Sequence, residues 1–460
     1  MKVYLNAIQA FVPPQIVKTI AAFLDFCYIA RRDVITDDSL NQLNTALHKF
    51  HESRQIFSGT VRPDGPSGFS LPRQHSMVHY HNHIKNFGAP NGLCSSITES
   101  KHIVAVKRPW RRSNKHKALQ QMLRVNERLD KIAAARTDFA ARGMLAGSCL
   151  IQAIKDAFSN TTHGSDDPMD EDTSDEETSE SSEEEVEHHE DEEDDACGPI
   201  GPGPLMNEVR LVARKGQSET LALYSTETNI LFIAPTREYP NSFDALGLKI
   251  GQHNLLDLTR RFLFYQLNPT STIEPHQLSL AECPMIWDSK VSVYHSATAT
   301  FRAPSNPSGP GGMYREVIRS TPFWPRGDIP GPRRDCIFVD TGDSENVGMR
   351  GLLVARVFLL FRFSYGGVDY PCALVQWYST SSEPDLNTGL WVARPESTRQ
   401  GTRHASVIHL DSIVRGAHLL PKFLSDSPVY REINYMNVLD VFASFYVNKY
   451  IDHHAFEIAF

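Results

Sequence analysis

Paired cysteines are missing from this chain. Its seven, Cys27, Cys94, Cys149, Cys197, Cys283, Cys336 and Cys372, are odd in number and scattered, and no two stand in a CxxC spacing. That argues against a disulfide framework and a cysteine zinc site, and fits a reducing compartment, cytosol or nucleus. No apolar run reaches membrane-spanning length: the longest candidate, Gly351–Phe363, carries Arg356 and Arg362. The opening MKVYLNAIQAF has no basic stretch followed by an apolar core, so no secretory leader is expected. GxSxG, Walker A and GxGxxG phosphate cradles are also absent, and the glycines of SGPGGM lie in a Pro-rich loop with no helix start behind them. None of these motifs therefore points the reading toward a serine hydrolase or a nucleotide-binding fold. No internal repeat is present.

What is present is a strong segregation of charge. The net charge of −9 averages very different segments. Residues 1–160 hold 22 Lys/Arg against 11 Asp/Glu, residues 166–195 hold 19 Asp/Glu and no Lys/Arg, and the remainder is almost neutral. A basic N-terminal third points to a polyanion partner, most simply nucleic acid. The acidic, Ser-rich stretch cannot bury enough apolar area to offset its ordering entropy, so 161–204 is expected to be a disordered linker. Ser165, Ser174, Ser179 and Ser182 stand among its acids as candidate phosphorylation sites.

The pattern on either side of the linker differs. Before it, Pro13-Pro14 and the spacing of Ile16, Ile20, Phe23 and Leu24 predict a helix over 14–31. Asp37 or Asp38 can cap a second helix through about Phe57, a third covers 72–87, and a long one runs from about Lys115 to Arg142. Thr98 reads as an N-cap with Glu99 in the first turn. After Met206, short β-rich runs appear at 290–303, 335–341, 352–365, 368–379, 389–394 and 405–410, with Gly366-Gly367 as a hairpin signal and helices at 252–267 and 437–451. The fold class expected is α+β and multidomain: a helical region 1–160, an acidic disordered linker 161–204, and a β-rich domain 205–460 with accessory helices.

Three constellations bear on chemistry. His75, His79, His81 and His83 cluster within nine residues, but no HExxH glutamate or cysteine accompanies them, and His453-His454 stand alone in the same way. Trp324, Trp377, Tyr378 and Trp391 with Phe361 and Tyr365 are either β-core residues or an aromatic cage for a modified lysine tail. In Asn91–Lys131, Glu99 is followed by Lys101, Lys107, Arg108, Arg111, Arg112, Lys115 and Lys117, with no further acid until Glu127. A lone carboxylate beside dense cations suits a group that holds a metal next to phosphates; a solvated basic helix with one stray acid is the other reading. KRPWRRSNKHK also has the composition of a nuclear import signal.

The stretch GAPNGLCSSITESKHIVAVKRPWRRSNKHKALQQMLRVNERLDKIAAAR, with FSLPRQHSMVHY before it, resembles the Plavaka transposases of basidiomycete fungi, transposable elements of the CACTA-like DDE group. RRFLFYQL, VYHSATATF, GGMYRE, MRGLLVARVFLLFRF, YPCALVQWY, SVIHLDSI and FYVNKYIDHHAFEIAF resemble the tail of the same family, and the similarity covers about 1–160 and 243–460. The resemblance implies the C-terminal part of an RNase H-like core with a helical insertion, DNA as partner, the nucleus as location, and two divalent ions, usually Mg2+, held by two strand-borne aspartates and a later acid. Glu99, in ITESKH, occupies the place of that later acid and is the implied catalytic and metal-binding residue, with Lys101, Lys107, Arg108, Arg111, Arg112, Lys115 and Lys117 on DNA. Self-association into a homo-oligomer is compatible with the family, no membrane is implied, and the partner of the β-rich tail is not specified. The two aspartates do not follow: Asp25, Asp33, Asp37, Asp38 and Asp64 sit in expected helices, caps or a turn. The chain is therefore expected to be a C-terminal portion, opening at an internal methionine and inactive alone in strand transfer. A domesticated nuclear interaction or chromatin-binding module is the alternative.

Overall fold

The computed structural model describes residues 3–58, 71–93, 102–142, 198–199, 207–212 and 239–459, apart from short breaks at 272, 274–276, 288–289, 307–311, 325–330, 344–345, 347, 399–400 and 424–432. The described chain mixes helix and sheet, with a β-rich, nearly closed C-terminal half. Of the linker expected over 161–204, Gly198 and Pro199 form a short strand paired with Arg315 and Tyr314, and the rest, including the acidic run 166–195, lies outside the described residues.

Among the described residues before 94, the α-helices are α1 (Tyr4–Ile8), α2 (Pro14–Ile29), α3 (Asp37–Ser53), α4 (Pro72–Ser76) and α5 (Tyr80–Phe87). Proline at the first position of α2 starts it where no backbone N–H is needed. Thr36, rather than Asp37 or Asp38, caps α3, its hydroxyl accepting from the Ser39 N–H, while the two aspartates occupy the first turn where the helix dipole favours them. The expected 72–87 helix is divided by a 3-10 turn at Met77–His79. Between residues 102 and 142, α6 (Arg108–Arg111) and α7 (Ala118–Ala141) belong to a second compact unit.

Strands β1 (Gly198–Pro199), β2 (Glu208–Val212), β4 (Ser296–Arg302), β5 (Met313–Trp324) and β6 (Gly331–Arg334) form one antiparallel sheet. Strands β3 (Ser292–Tyr294), β7 (Cys336–Asp340), β8 (Leu352–Tyr365), β9 (Val368–Thr380), β10 (Val392–Pro395), β11 (Ala405–His409), β12 (Ile413–Ala417), β13 (Leu419–Pro421) and β14 (Phe445–Val447) form a larger one. The remaining helices are α8 (Phe243–Ile250), α9 (Leu255–Leu267), α10 (Val438–Val441) and α11 (His453–Ile458). The chain changes sheet at two corners: β3 pairs with β8 while the following β4 pairs with β5, and β6 pairs with β5 while β7 pairs with β8. Strands that switch sheets in this way close a sandwich at its corners.

Side-chain alternation explains why three clusters surround the large sheet. On β8, Ala355 and Val357 face the small sheet, packing with Ala297, Ala299, Phe301 and Ile318. A register shift between Val357 and Leu359 then inverts the parity, so Leu360 continues that face. Leu359, Phe361 and Phe363 turn instead to Phe243, Leu246, Leu255 and Phe262 of α8 and α9. One extra residue in a strand has this effect because the side-chain period is two. The β8–β9 connection is the two-residue Gly366-Gly367 turn, with φ of +59° and +81°, as the tight hairpin requires.

The N-terminal helices and the β-rich half form one compact unit. Leu5, Val17, Leu24, Phe26 and Ile29 pack with Val392, Tyr446, Tyr450 and Phe456. Polar ties reinforce the contact. The buried Lys449 Nζ lies 3.0 Å from Asp25 Oδ1, and the Tyr450 hydroxyl donates to the same oxygen at 2.7 Å. Asn6 and Gln9 donate to the carbonyls of Pro421 and Phe423 at 2.9 and 3.0 Å. The helix expected over 437–451 is instead a short helix, strand β14 and a 3-10 turn. Its residues alternate between cores, Phe445 and Val447 to one and Tyr446 to another, which a strand permits and a helix does not.

A second buried tie holds the C-terminal helix. The Arg415 guanidinium donates to Asp452 at 2.8 and 2.6 Å, to Glu316 at 3.0 Å and to His454 Nδ1 at 3.1 Å, and its carbon lies 4.7 Å from the Phe301 ring centre. Arginine has no acceptor, so His454 Nδ1 must accept and the ring is neutral. Burial, with the charge of Arg415, holds the His454 pKa down at about 4. Burial pushes the Asp452 carboxyl up, but the hydrogen bonds and charge of Arg415 outweigh it and leave it at about 2.

A pH dependence follows. Unfolded, His454 takes up its proton near 6.5; folded, it does so only near 4. Across that window the unfolded state holds the extra proton, so this residue's contribution to stability falls on acidification, by on the order of 3 kcal/mol in total. Glu316, whose pKa is raised mainly by burial, acts in the opposite sense. The difference between wild type and His454→Gln therefore isolates the histidine. Urea unfolding at pH 7 and pH 4.5 should show the variant losing less stability than the wild type; equal losses would contradict the assignment.

Candidate nucleic-acid interface

The basic run of the sequence enters the second compact unit through a π-type turn, Ile103–Lys107, which leads directly into α6. Such turns carry one residue more per hydrogen-bonded ring than an α-helix and are frequent at functional sites. Here the turn is braced by the Asn126 amide of α7, which donates to the Ala105 carbonyl at 2.7 Å. Within α6, Pro109 is buried, whereas Trp110 is 45 % exposed.

Lys107, Arg111, Arg112, Lys115 and Lys117 are exposed and Arg108 is half-buried. The acids between 102 and 142 are Glu127, Asp130 and Asp138, all on α7 from its middle onward. Two of them pair along their own helix, Glu127 with Lys131 at 2.5 Å and Asp138 with Arg142 at 3.0 Å. The cationic end of the unit, 107–117, thus holds no carboxylate of its own. Such a surface attracts phosphates by long-range field and releases counterions on contact.

The link between α6 and α7 has an unusual backbone. Lys115 and Lys117 both have positive φ, 61° and 49°. An L-residue in this left-handed region costs roughly 1–2 kcal/mol relative to the right-handed one, and glycine would relieve it. A polar lattice holds the turn. The Ser113 hydroxyl donates to the Trp110 carbonyl at 2.8 Å, Asn114 Oδ1 accepts from the His116 N–H at 3.0 Å, and the Gln121 amide donates to the His116 carbonyl at 2.7 Å. Two lysines held where glycine fits better is the kind of strain that over-determined functional turns carry. The helix expected from Lys115 begins at Ala118 for the same reason, since a residue with positive φ cannot sit in a right-handed helix.

Glu99, the implied catalytic and metal-binding acid, and Lys101 lie outside the described residues, as does Asp64. Six of the seven implied DNA-binding residues, Lys107 to Lys117, are brought together on one turn and its flanking helices. Among the described residues no group of three or more His, Cys, Asp or Glu side chains is placed to hold a metal ion. His75, His79 and His83 line up along one edge, with ring centres 5.1 and 6.0 Å apart, and all are solvent-exposed. Asp25 is engaged by Lys449 and Tyr450, and Asp37 and Asp38 serve the start of α3.

The aromatic cage does not assemble. Tyr378 and Trp391 lie in one buried cluster and Phe361 in another, while Trp377 donates its indole N–H to Ser406 at 2.7 Å and packs against a third. Trp324 instead lies under two guanidinium groups, those of Arg319 and Arg333, at 4.8 and 4.7 Å. None of the described helices is long and apolar enough to cross a membrane. No protein-family model, curated protein or solved structure matches the chain.

Replacing Lys115 by glycine should leave thermal stability equal or raised, by up to about 1 kcal/mol, while weakening affinity for duplex DNA. A lowered melting temperature without loss of affinity would show that the turn serves structure alone.

Proposed function

We propose that this chain is the C-terminal portion of a DDE-type DNA transposase, a nuclear DNA-binding protein that does not perform strand transfer alone. The observation that carries the DNA-binding half is the grouping of Lys107, Arg108, Arg111, Arg112, Lys115 and Lys117 around one constrained turn, with no acid between residues 102 and 126. In this reading Glu99 is the third acid of a DDE set, and Mg2+ is the ion it would share with two aspartates. An ion there would polarise a phosphate and activate a water or 3′-hydroxyl. The neighbouring lysines and arginines position the backbone.

The catalytic incompleteness rests on the aspartates. Two strand-borne carboxylates should precede Glu99, yet among the described residues Asp25 stands on a helix in a structural pair with Lys449 and Tyr450, Asp37 and Asp38 open another helix, and Asp33 lies in the bend between them; Asp64 lies outside the described residues. One carboxylate cannot hold two divalent ions in the geometry of phosphoryl transfer.

The test is electrostatic. Neutralising Arg108, Arg111 and Arg112 to glutamine should weaken duplex binding at 100 mM salt and lower the slope of log K against log salt by about 2 to 3, since each phosphate contact contributes about 0.9. Unchanged affinity and slope in a folded variant would remove the interface from this part of the chain.

A further inference from the structure

The two strongest concentrations of charge lie near one another in the chain and have opposite signs. Residues 102–142 hold 11 Lys/Arg and three Asp/Glu, and from Lys107 to Lys117 six cations stand with no acid among them. Lys107, Arg111, Arg112, Lys115 and Lys117 are exposed. Residues 166–195 hold 19 Asp/Glu and no Lys/Arg, and their apolar residues, Pro168, Met169 and Val186, are too few to build a core. Such a run is relieved of its self-repulsion by meeting cations.

The rest of the chain offers it little. Residues 199–460 hold 24 Lys/Arg against 25 Asp/Glu, and arginines there face carboxylates: Arg333 on Asp335, Arg356 on Asp440 and Arg415 on Asp452. Residues 1–93 hold nine Lys/Arg against six Asp/Glu. Among the described residues, 107–117 is the densest run of cations without an acid of its own. It is also within reach. The 23 residues 143–165 separate Arg142 from Asp166. Wound as a helix they would span about 34 Å, and fully extended about 76 Å. Helix α7, with 24 residues, is about 36 Å long. The connection is long enough, whichever form it takes, to bring the run back along α7 to Lys115 and Lys117.

We infer that the acidic run 166–195 binds the cationic turn 107–117 of the same chain and competes there with DNA. The inference rests on the reading of that turn as a DNA interface. Each exposed carboxylate pair is weak, so the run yields once a duplex arrives with one charge per about 1.7 Å of its axis. Covalent attachment makes weak pairs sufficient. At an effective concentration of about a millimolar, a contact with a dissociation constant of about 0.1 mM lowers the apparent DNA affinity about tenfold. Salt dependence changes as well. DNA replaces one polyanion by another, so fewer counterions are released than from a bare turn.

The experiment compares the full chain with a variant in which 166–195 is replaced by a glycine-serine segment of equal length. At 100 mM salt the variant should bind a 20-base-pair duplex about tenfold more tightly, with a steeper slope of log K against log salt. In the wild type without DNA, zero-length carbodiimide crosslinking should join Lys107, Lys115 or Lys117 to acids of 166–195, and duplex should suppress these products. In a mixture of light and isotope-labelled chains the products should stay within one isotope; mixed products would make the contact intermolecular and overturn the inference. Crosslinks from the run that avoid 107–117 overturn it too. The two possible failures are distinct. Weakened duplex binding by the Arg108, Arg111 and Arg112 triple variant, beside equal affinity and slope in wild type and the glycine-serine variant, removes the competition and leaves the interface standing. Unchanged duplex binding by the folded triple variant removes the interface, and the competition with it.

Discussion

Arg415 on β12 is buried with Asp452 and Glu316 around its guanidinium, Phe301 beneath it and His454 against its edge. A charge in this position is tolerable only while its partners stay in place; removing one partner from such a set typically costs about 3–5 kcal/mol. Three parts of the fold meet there: the small sheet through Glu316 and Phe301, the large sheet through Arg415, and the C-terminal helix through Asp452, which also caps that helix by accepting from the Ala455 N–H at 2.8 Å. A few residues earlier, Lys449 and Tyr450 hold Asp25 of α2, so the same short segment, NKYIDHH, fastens the N-terminal helices. The closing of the sandwich and the docking of helices that begin the chain thus depend on one polar segment near its far end.

Much of this was readable locally. Proline at the start of α2, the spacing of apolar residues along α2 and α3, and the glycine pair between β8 and β9 each act through their own backbone, and the structure has them where the sequence places them. Strand β5 was hidden for a physical reason. Its segment MYREVIRS alternates correctly, but the inward position holds Glu316, half-buried against Arg415 seven strands later, so the apolar period is broken by a partner that no local pattern announces. Residues 437–451 misled in the opposite way. Apolar side chains on both sides of β14 imitate a helical run because two cores, not one, bury them.

The candidate site divides similarly. The concentration of cations from Lys107 to Lys117 was evident from charge alone. The left-handed backbone at Lys115 and Lys117 was not, because lysine, unlike glycine or asparagine, gives no signal of it, and the lattice from Ser113 to Gln121 enforces it from outside the two residues.

The most direct measurement is a map of contacts on DNA. The full chain would be photo-crosslinked to a bromodeoxyuridine-substituted duplex and the attached peptides identified by mass spectrometry. The account predicts crosslinked peptides from residues 102–121, with Trp110 and its flanking arginines and lysines at their centre. Crosslinks confined to other parts of the chain, with none in that segment, would contradict it.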